Sequence, residues 1–241
     1  MQLHIQFRGS RINLPIAYQH TLQGLIYHAL EDEGDYSARL HDEGYLAQMR
    51  SFKRFTFSPL SGKYVIEGKR IIFEETAAFE VRSPDEGFIR RLAARLQEGA
   101  WGTLGTNPVQ IVKSRVEDGH LLAERAVVRT VSPIVVYRTL EDGKTEFFSP
   151  ADAVFCPALV RNARRKWESL HGEGAPFALS VQLDEGMQPR KVPTSFKSTF
   201  ITGYHCRLVL EGMPEVLDMV YQTGLGAKSS QGFGMVRPVK E

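Results

Sequence analysis

The sequence has only two cysteines, Cys156 and Cys206, far apart and outside any CxxC or Cys/His spacing. That argues against both a disulfide framework and a zinc knuckle, and leaves buried free thiols as the expectation. No apolar run approaches the length needed to span a bilayer. The amino-terminal MQLHIQFRGS alternates Leu3, Ile5 and Phe7 with polar neighbours, the pattern of a half-buried strand rather than a signal peptide, so a cytoplasmic location is expected. Low-complexity tracts are missing, and so is any large excess of one charge: 30 Lys and Arg against 28 Asp and Glu leave a formal +2. So small a sum neither demands nor excludes a polyanionic partner, because binding depends on where the positive charges sit. There is no evident Ser/His/Asp set and no His/Asp/Glu group at metal-ligand spacing, so neither metal nor other cofactor is expected.

What is present is an ordinary globular composition, 42% hydrophobic and 24% charged over 241 residues, a length that suits two small α+β domains. The first half predicts a strand over 2–8, a helix over 18–31, a short helix over 35–43, a strand over 53–58, strands near 63–74 and 77–82, a helix over 84–99 and a strand over 107–117. Leu22, Leu25, Ile26, Ala29 and Leu30 form the apolar stripe of the first helix. Ser83 is expected to cap the helix over 84–99 and Gly99 to end it. The second half repeats the order, with a strand over 127–138, a helix started by Pro150 over 150–168, strands over 177–184 and 198–210, a helix started by Pro214 over 213–222, and a strand over 232–239. Two βαββαβ units predict tandem ferredoxin-like (RRM-like) α+β domains, residues 1–122 and 123–241, divided near the turn-forming EDGH.

Positive charge gathers in three places. Residues 186–207 carry Arg190, Lys191, Lys197 and Arg207 with no acid, interleaved with Phe196, Phe200 and Tyr204, as a hairpin lying along a phosphate backbone would. Solvated basic residues over core aromatics are the alternative, and Phe200 in particular reads as core. Arg161, Arg164, Arg165 and Lys166 cluster on one helix, where a solvated face is the default. The third place is Gly224-Leu-Gly-Ala-Lys-Ser-Ser-Gln-Gly-Phe-Gly234, in which Gly226 and Gly232 flank Lys228, Ser229 and Ser230. Glycines allow positive φ and close approach, and amides, hydroxyls and an ammonium can hold phosphate oxygens. A helix C-cap running into the last strand fits the same residues. A P-loop does not, since the order is Gly-Ala-Lys-Ser and a strand follows where that motif needs a helix.

Gly-hydrophobic-Gly, five residues, Gly-hydrophobic-Gly at the carboxyl end of two ferredoxin-like units resembles the CRISPR precursor-RNA-processing endoribonucleases of the RAMP superfamily. Tyr18-Gln-His-Thr-Leu-Gln-Gly-Leu-Ile-Tyr27, Leu40-His-Asp-Glu-Gly44, Lys53-Arg-Phe-Thr-Phe-Ser58 and Val131-Ser-Pro-Ile134 follow in family order along nearly the whole chain. The resemblance implies metal-independent cleavage within a CRISPR repeat RNA: a 2′-hydroxyl attacks the adjacent phosphate, leaving a 2′,3′-cyclic phosphate and a 5′-hydroxyl. It also implies catalytic roles for Tyr27, His41 and Lys53, and leaves room for other CRISPR effector subunits or a second copy of the chain as partners.

The residue types suit that chemistry, which needs a base, an acid and positive charge on the pentavalent phosphorane. An imidazole at His41 titrates near neutral pH, and an ammonium at Lys53 stays charged. Tyr27 shares with Gly24 and His20 the helix face opposite the apolar stripe, where Gly24 would admit RNA, the glycine loop or a crossing helix. Which of His41 and Tyr27 is base and which is acid stays open. His41 also suits a helix end and Lys53 a strand edge. His28 is the second choice of catalytic histidine; His20 reads as a helix-start residue, and His4, His120, His171 and His205 have no supporting neighbours in sequence. Two other readings stand beside the nuclease: a non-catalytic RAMP-type RNA-binding subunit, and an unrelated protein holding a small phosphorylated ligand in the glycine loop.

Overall fold

The structure is a computed structural model that describes residues 1–30, 54–196 and 199–239, so His41, Lys53, Lys197 and the short helix expected over 35–43 lie outside the described residues. The chain forms two compact units, residues 1–53 with 57–119, and residues 54–56 with 120–241. No helix among the described residues is long and apolar enough to cross a membrane.

The elements of the first half are β1 (Gln2–Arg8), β2 (Ile12–Pro15), α1 (Gln19–His28), β3 (Thr56–Phe57), β4 (Tyr64–Glu67), β5 (Arg70–Phe73), β6 (Thr76–Arg82), α2 (Glu86–Arg95), β7 (Trp101–Leu104) and β8 (Asn107–Glu117). The main sheet runs β3-β6-β1-β8-β7. Without the edge strand β7, the order of the four core strands is second, third, first, fourth, the ferredoxin-like arrangement. Alternation explains β1: Leu3, Ile5 and Phe7 are buried while Gln2, His4 and Gln6 are half-exposed. In α1, Leu22 and Ile26 point into the core. Buried Tyr18 pins the start of that helix, its hydroxyl accepting from Leu60 N at 2.9 Å, and burial pushes its pKa up to about 12.

Helix α2 is shorter than its apolar pattern suggests. Its cap is Asp85, whose carboxylate accepts from Phe88 N at 2.9 Å, and the expected cap Ser83 instead accepts from Asp85 N at 3.1 Å. The helix ends at Leu96, where ψ turns to 56°, before Gly99 is reached. Chain after that point turns into β7, a hairpin partner of β8 that the sequence pattern did not show.

The second half contains β9 (Arg125–Thr130), β10 (Tyr137–Thr139), β11 (Thr145–Phe147), α3 (Phe155–His171), β12 (Leu179–Leu183), β13 (Arg190–Phe196), β14 (Thr199–His205), β15 (Arg207–Gly212), α4 (Pro214–Thr223), a 3-10 turn (Ser229–Gln231) and β16 (Val236–Pro238). Its main sheet runs β12-β15-β9-β16, again second, third, first, fourth. Both halves are thus ferredoxin-like. The expected single strand over 127–138 is broken near Pro133, which has no N–H to give a ladder. Past it Ile134 pairs with Tyr204, and the chain becomes the separate hairpin β10–β11.

Helix α3 begins at Phe155 rather than Pro150, because Ser149 N and Oγ both donate to the Asp152 carboxylate (2.6 and 2.9 Å) and hold 149–152 as a turn. Its buried residues Phe155, Leu159, Ala163 and Trp167 recur every four positions and pack with Leu208, Leu210, Val216 and Val220 into the core of the unit. Pro214 does start α4, at its first turn. Both cysteines are free thiols; Cys206 is buried, Cys156 only half so, and burial pushes Cys206 up to about 12.

Candidate nucleic-acid interface

Of the three residues that the family resemblance marks for catalysis, Tyr27 alone lies among the described residues. It is half-buried near the end of α1, on the side of the helix where Gly24 and His20 are exposed. A Cβ built on Gly24 would have no neighbour within 4 Å among the described residues. His20 Nδ1 donates to the Ala17 carbonyl at 3.0 Å, as a helix-start residue does. His28 is exposed and lines a groove of about 420 Å³ with Arg95 and the edge-strand Trp101.

The glycine-rich loop follows α4 in the second unit and is folded inward. Gly224, Gly226, Gly232 and Gly234 all have positive φ, between 73° and 86°. Two of them carry the packing. A Cβ on Gly234 would fall 1.9 Å from the Leu225 carbonyl oxygen, and one on Gly226 would fall 2.7 Å from that of Val135. At these positions the chain returns upon itself, with Leu225 N donating to Gly234 O (2.8 Å), Ala227 N to Val135 O (2.9 Å) and Gly234 N to Pro133 O (2.9 Å). Ser229 and Ser230 are buried, 4% and 9% exposed. This corrects the expectation of an open cradle of hydroxyls. The Ser229 hydroxyl accepts from Lys166 Nζ at 2.9 Å and faces the Gly226 carbonyl at 3.5 Å. Ala227, Lys228 and Gln231 stay half-exposed, and Lys228, in a left-handed backbone conformation, holds its ammonium 5.2 Å from the centre of the Tyr137 ring.

Lys166 is the residue for which sequence reasoning had no signal. Rather than joining a solvated basic face, it turns inward and donates to the carbonyls of Thr223 (3.2 Å) and Gly224 (2.7 Å) as well as to Ser229. Burial pushes its pKa down to about 7, while the helix-end carbonyls favour the charged form. The rest of that basic cluster divides: Arg164 stacks on Phe177, with its guanidinium 4.6 Å from the ring centre, whereas Arg161 and Arg165 are exposed.

The basic hairpin of the sequence is β13–β14, paired from Arg190↔His205 to Phe196↔Thr199. Phe196 and Ile201 are buried against Val135 and Phe233, the second of which comes from the glycine-rich loop. Strand alternation then forces Phe200 outward, 62% exposed, so it is not the core residue expected. Arg190 and Lys191 are exposed, and among the described residues neither is paired with a carboxylate. Arg207 leaves the basic set, because its guanidinium lies 2.7 Å from Asp184. His205 touches the Thr130 hydroxyl at 2.9 Å, and burial together with the Arg190 charge lowers its pKa, which keeps it neutral near pH 7. The other histidines also have partners: His120 with Asp218 at 2.9 Å, His4 with Glu117 at 3.4 Å, and His171 against the Trp167 ring.

Comparison with known proteins adds an independent line. The "CRISPR-associated endoribonuclease Cas6 1" of Methanocaldococcus jannaschii is 26% identical over 239 residues, covering 95% of this chain and 88% of the relative. The "CRISPR-associated endoribonuclease Cas6" of Pyrococcus furiosus is 23% identical, covering 93% and 83%. A solved structure of a "CRISPR associated protein Cas6" superimposes with a TM-score of 0.78 at 24% identity, covering 100% of this chain and 99% of that one. The family model described as "CRISPR associated protein Cas6, C-terminal" matches residues 116–238, just over half of the 241 residues, and the chain therefore belongs to the Cas6 family.

Proposed function

We propose that this protein is a metal-independent endoribonuclease that cuts CRISPR precursor RNA within its repeat to release guide RNAs. A 2′-hydroxyl attacks the adjacent phosphodiester, the 5′-oxygen leaves, and the products carry a 2′,3′-cyclic phosphate and a 5′-hydroxyl. His41 and Tyr27 divide the two proton transfers between them, and the Lys53 ammonium faces the charge that gathers on the phosphorane. Lys228, Arg190, Lys191 and Lys197 bind the RNA backbone, with Phe200 offering a ring to an unstacked base.

The observation that carries this reading is membership of the Cas6 family together with full-length similarity to proteins named as CRISPR endoribonucleases. The exposed, acid-free hairpin bearing Arg190, Lys191 and Phe200 supports the choice of RNA as partner. The test is to incubate pure protein with its repeat RNA in excess EDTA and analyse the ends of the products. One cut with a cyclic phosphate, lost by at least ~100-fold in His41→Ala with binding retained, is the expected result. Binding without any cut by the wild type points to a non-catalytic RNA-binding subunit. Undiminished cutting by His41→Ala removes His41 from the mechanism and moves attention to His28.

A further inference from the structure

An open groove of about 400 Å³ runs along α3 in the second unit, and none of the residues assigned above to catalysis or to the hairpin lines it. It is lined by Arg161, Asn162 and Arg165 of α3, by Tyr137 and Arg138 of β10, and by Gly226 and Ala227 of the glycine-rich loop. No side chain fits at Gly226, where a Cβ would strike the Val135 carbonyl. Three guanidinium groups and no carboxylate line the groove. Arg138 is held by Glu146, but Arg161 and Arg165, one helical turn apart, are exposed and unpaired with any carboxylate among the described residues. Lys228 adds its charge at the rim, above Tyr137.

From this arrangement we infer that the α3–β10 groove is a second RNA-binding track, which holds the sugar-phosphate backbone of a single-stranded segment flanking the cleavage site. The inference rests on the RNA reading of the previous section and adds a location to it. Two guanidinia on successive turns, neither paired with a carboxylate among the described residues, can each fork onto a phosphate. An acidic peptide satisfies the arginines equally well. What favours RNA is continuity with Lys228, assigned above to the RNA backbone, whose ammonium lies over the Tyr137 ring that lines this groove.

Binding of a repeat RNA with a 2′-deoxy scissile nucleotide is measured from 50 to 500 mM salt for the full-length wild type, Arg161→Ala/Arg165→Ala and Arg161→Lys/Arg165→Lys. Urea midpoints are measured alongside. The expected result is binding weakened by about tenfold in the alanine double variant, with the salt slope reduced by roughly 1.4, about 0.7 for each lost phosphate contact. The lysine variant recovers the slope. Wild-type-like binding by the alanine variant at every salt overturns the inference while leaving the RNA reading standing. So does weaker binding with an unchanged slope, or loss of polyglutamate binding with RNA binding intact. A wild type that binds no RNA at all ends the functional reading, and the groove with it.

Discussion

The glycine-rich loop and the β13–β14 hairpin share a small apolar anchor, Phe233 on the loop meeting Phe196 and Ile201 on the hairpin. From that anchor they diverge. The loop turns its polar groups inward, where Lys166, Ser229 and the carbonyls of Thr223 and Gly224 satisfy one another. The hairpin turns Arg190, Lys191 and Phe200 outward. Both segments read as phosphate-binding in sequence, and the difference shows what glycine and lysine each serve. Glycine beside glycine makes room for backbone against backbone. Lysine and arginine on an alternating hairpin have nowhere to go but solvent or a polyanion.

The contrast can be broken most forcefully at Gly234. Its φ of 73° and a Cβ only 1.9 Å from Leu225 O make Gly234→Ala cost about 3 kcal/mol of stability, read as a lower urea midpoint. An unchanged midpoint means the two passes of the loop are not packed as described.

A second effect is set by pH. The folded Lys166 gives up its proton near pH 7, whereas the unfolded side chain keeps it to about 10.5. Between those values the unfolded state binds more protons, so stability rises with pH across that window, by at most about 1.4 kcal/mol per unit. Lys166→Met should flatten that rise in urea titrations from pH 6.5 to 10. A slope equal to wild type means the ammonium is not enclosed.

The smallest effect belongs to the hairpin, and it falls on binding rather than folding. Arg190→Ala/Lys191→Ala should leave the urea midpoint within about 0.5 kcal/mol, since both side chains are exposed. RNA binding should weaken about tenfold and its salt slope should fall by roughly 1.4. If stability drops and the salt slope does not, the hairpin resembles the loop after all.

Elements with strong periodicity were readable from the sequence alone. The alternation of Leu3, Ile5 and Phe7 and the stripe of Leu22 and Ile26 reappear as buried faces, and Pro214 opens α4 as its chemistry predicts. Ends were less legible. Ser149 and Asp152 close a turn that delays α3, and Asp85 takes the cap from Ser83, because which side chain reaches a free amide depends on local geometry that residue type does not specify. Phe200 reads as core in the sequence and is exposed in the fold, since a strand's register decides which face is buried.

Residue pattern by itself determined the two ferredoxin-like units, because hydrophobic periodicity and turn chemistry are local properties of the chain. It also placed the basic hairpin. Only tertiary structure decided that Lys166 points inward, that the serines of the glycine loop are buried, and that Arg161 and Arg165 line one groove with Arg138. Such pairings join positions far apart in the chain, and their partners are fixed by packing rather than by neighbours in sequence.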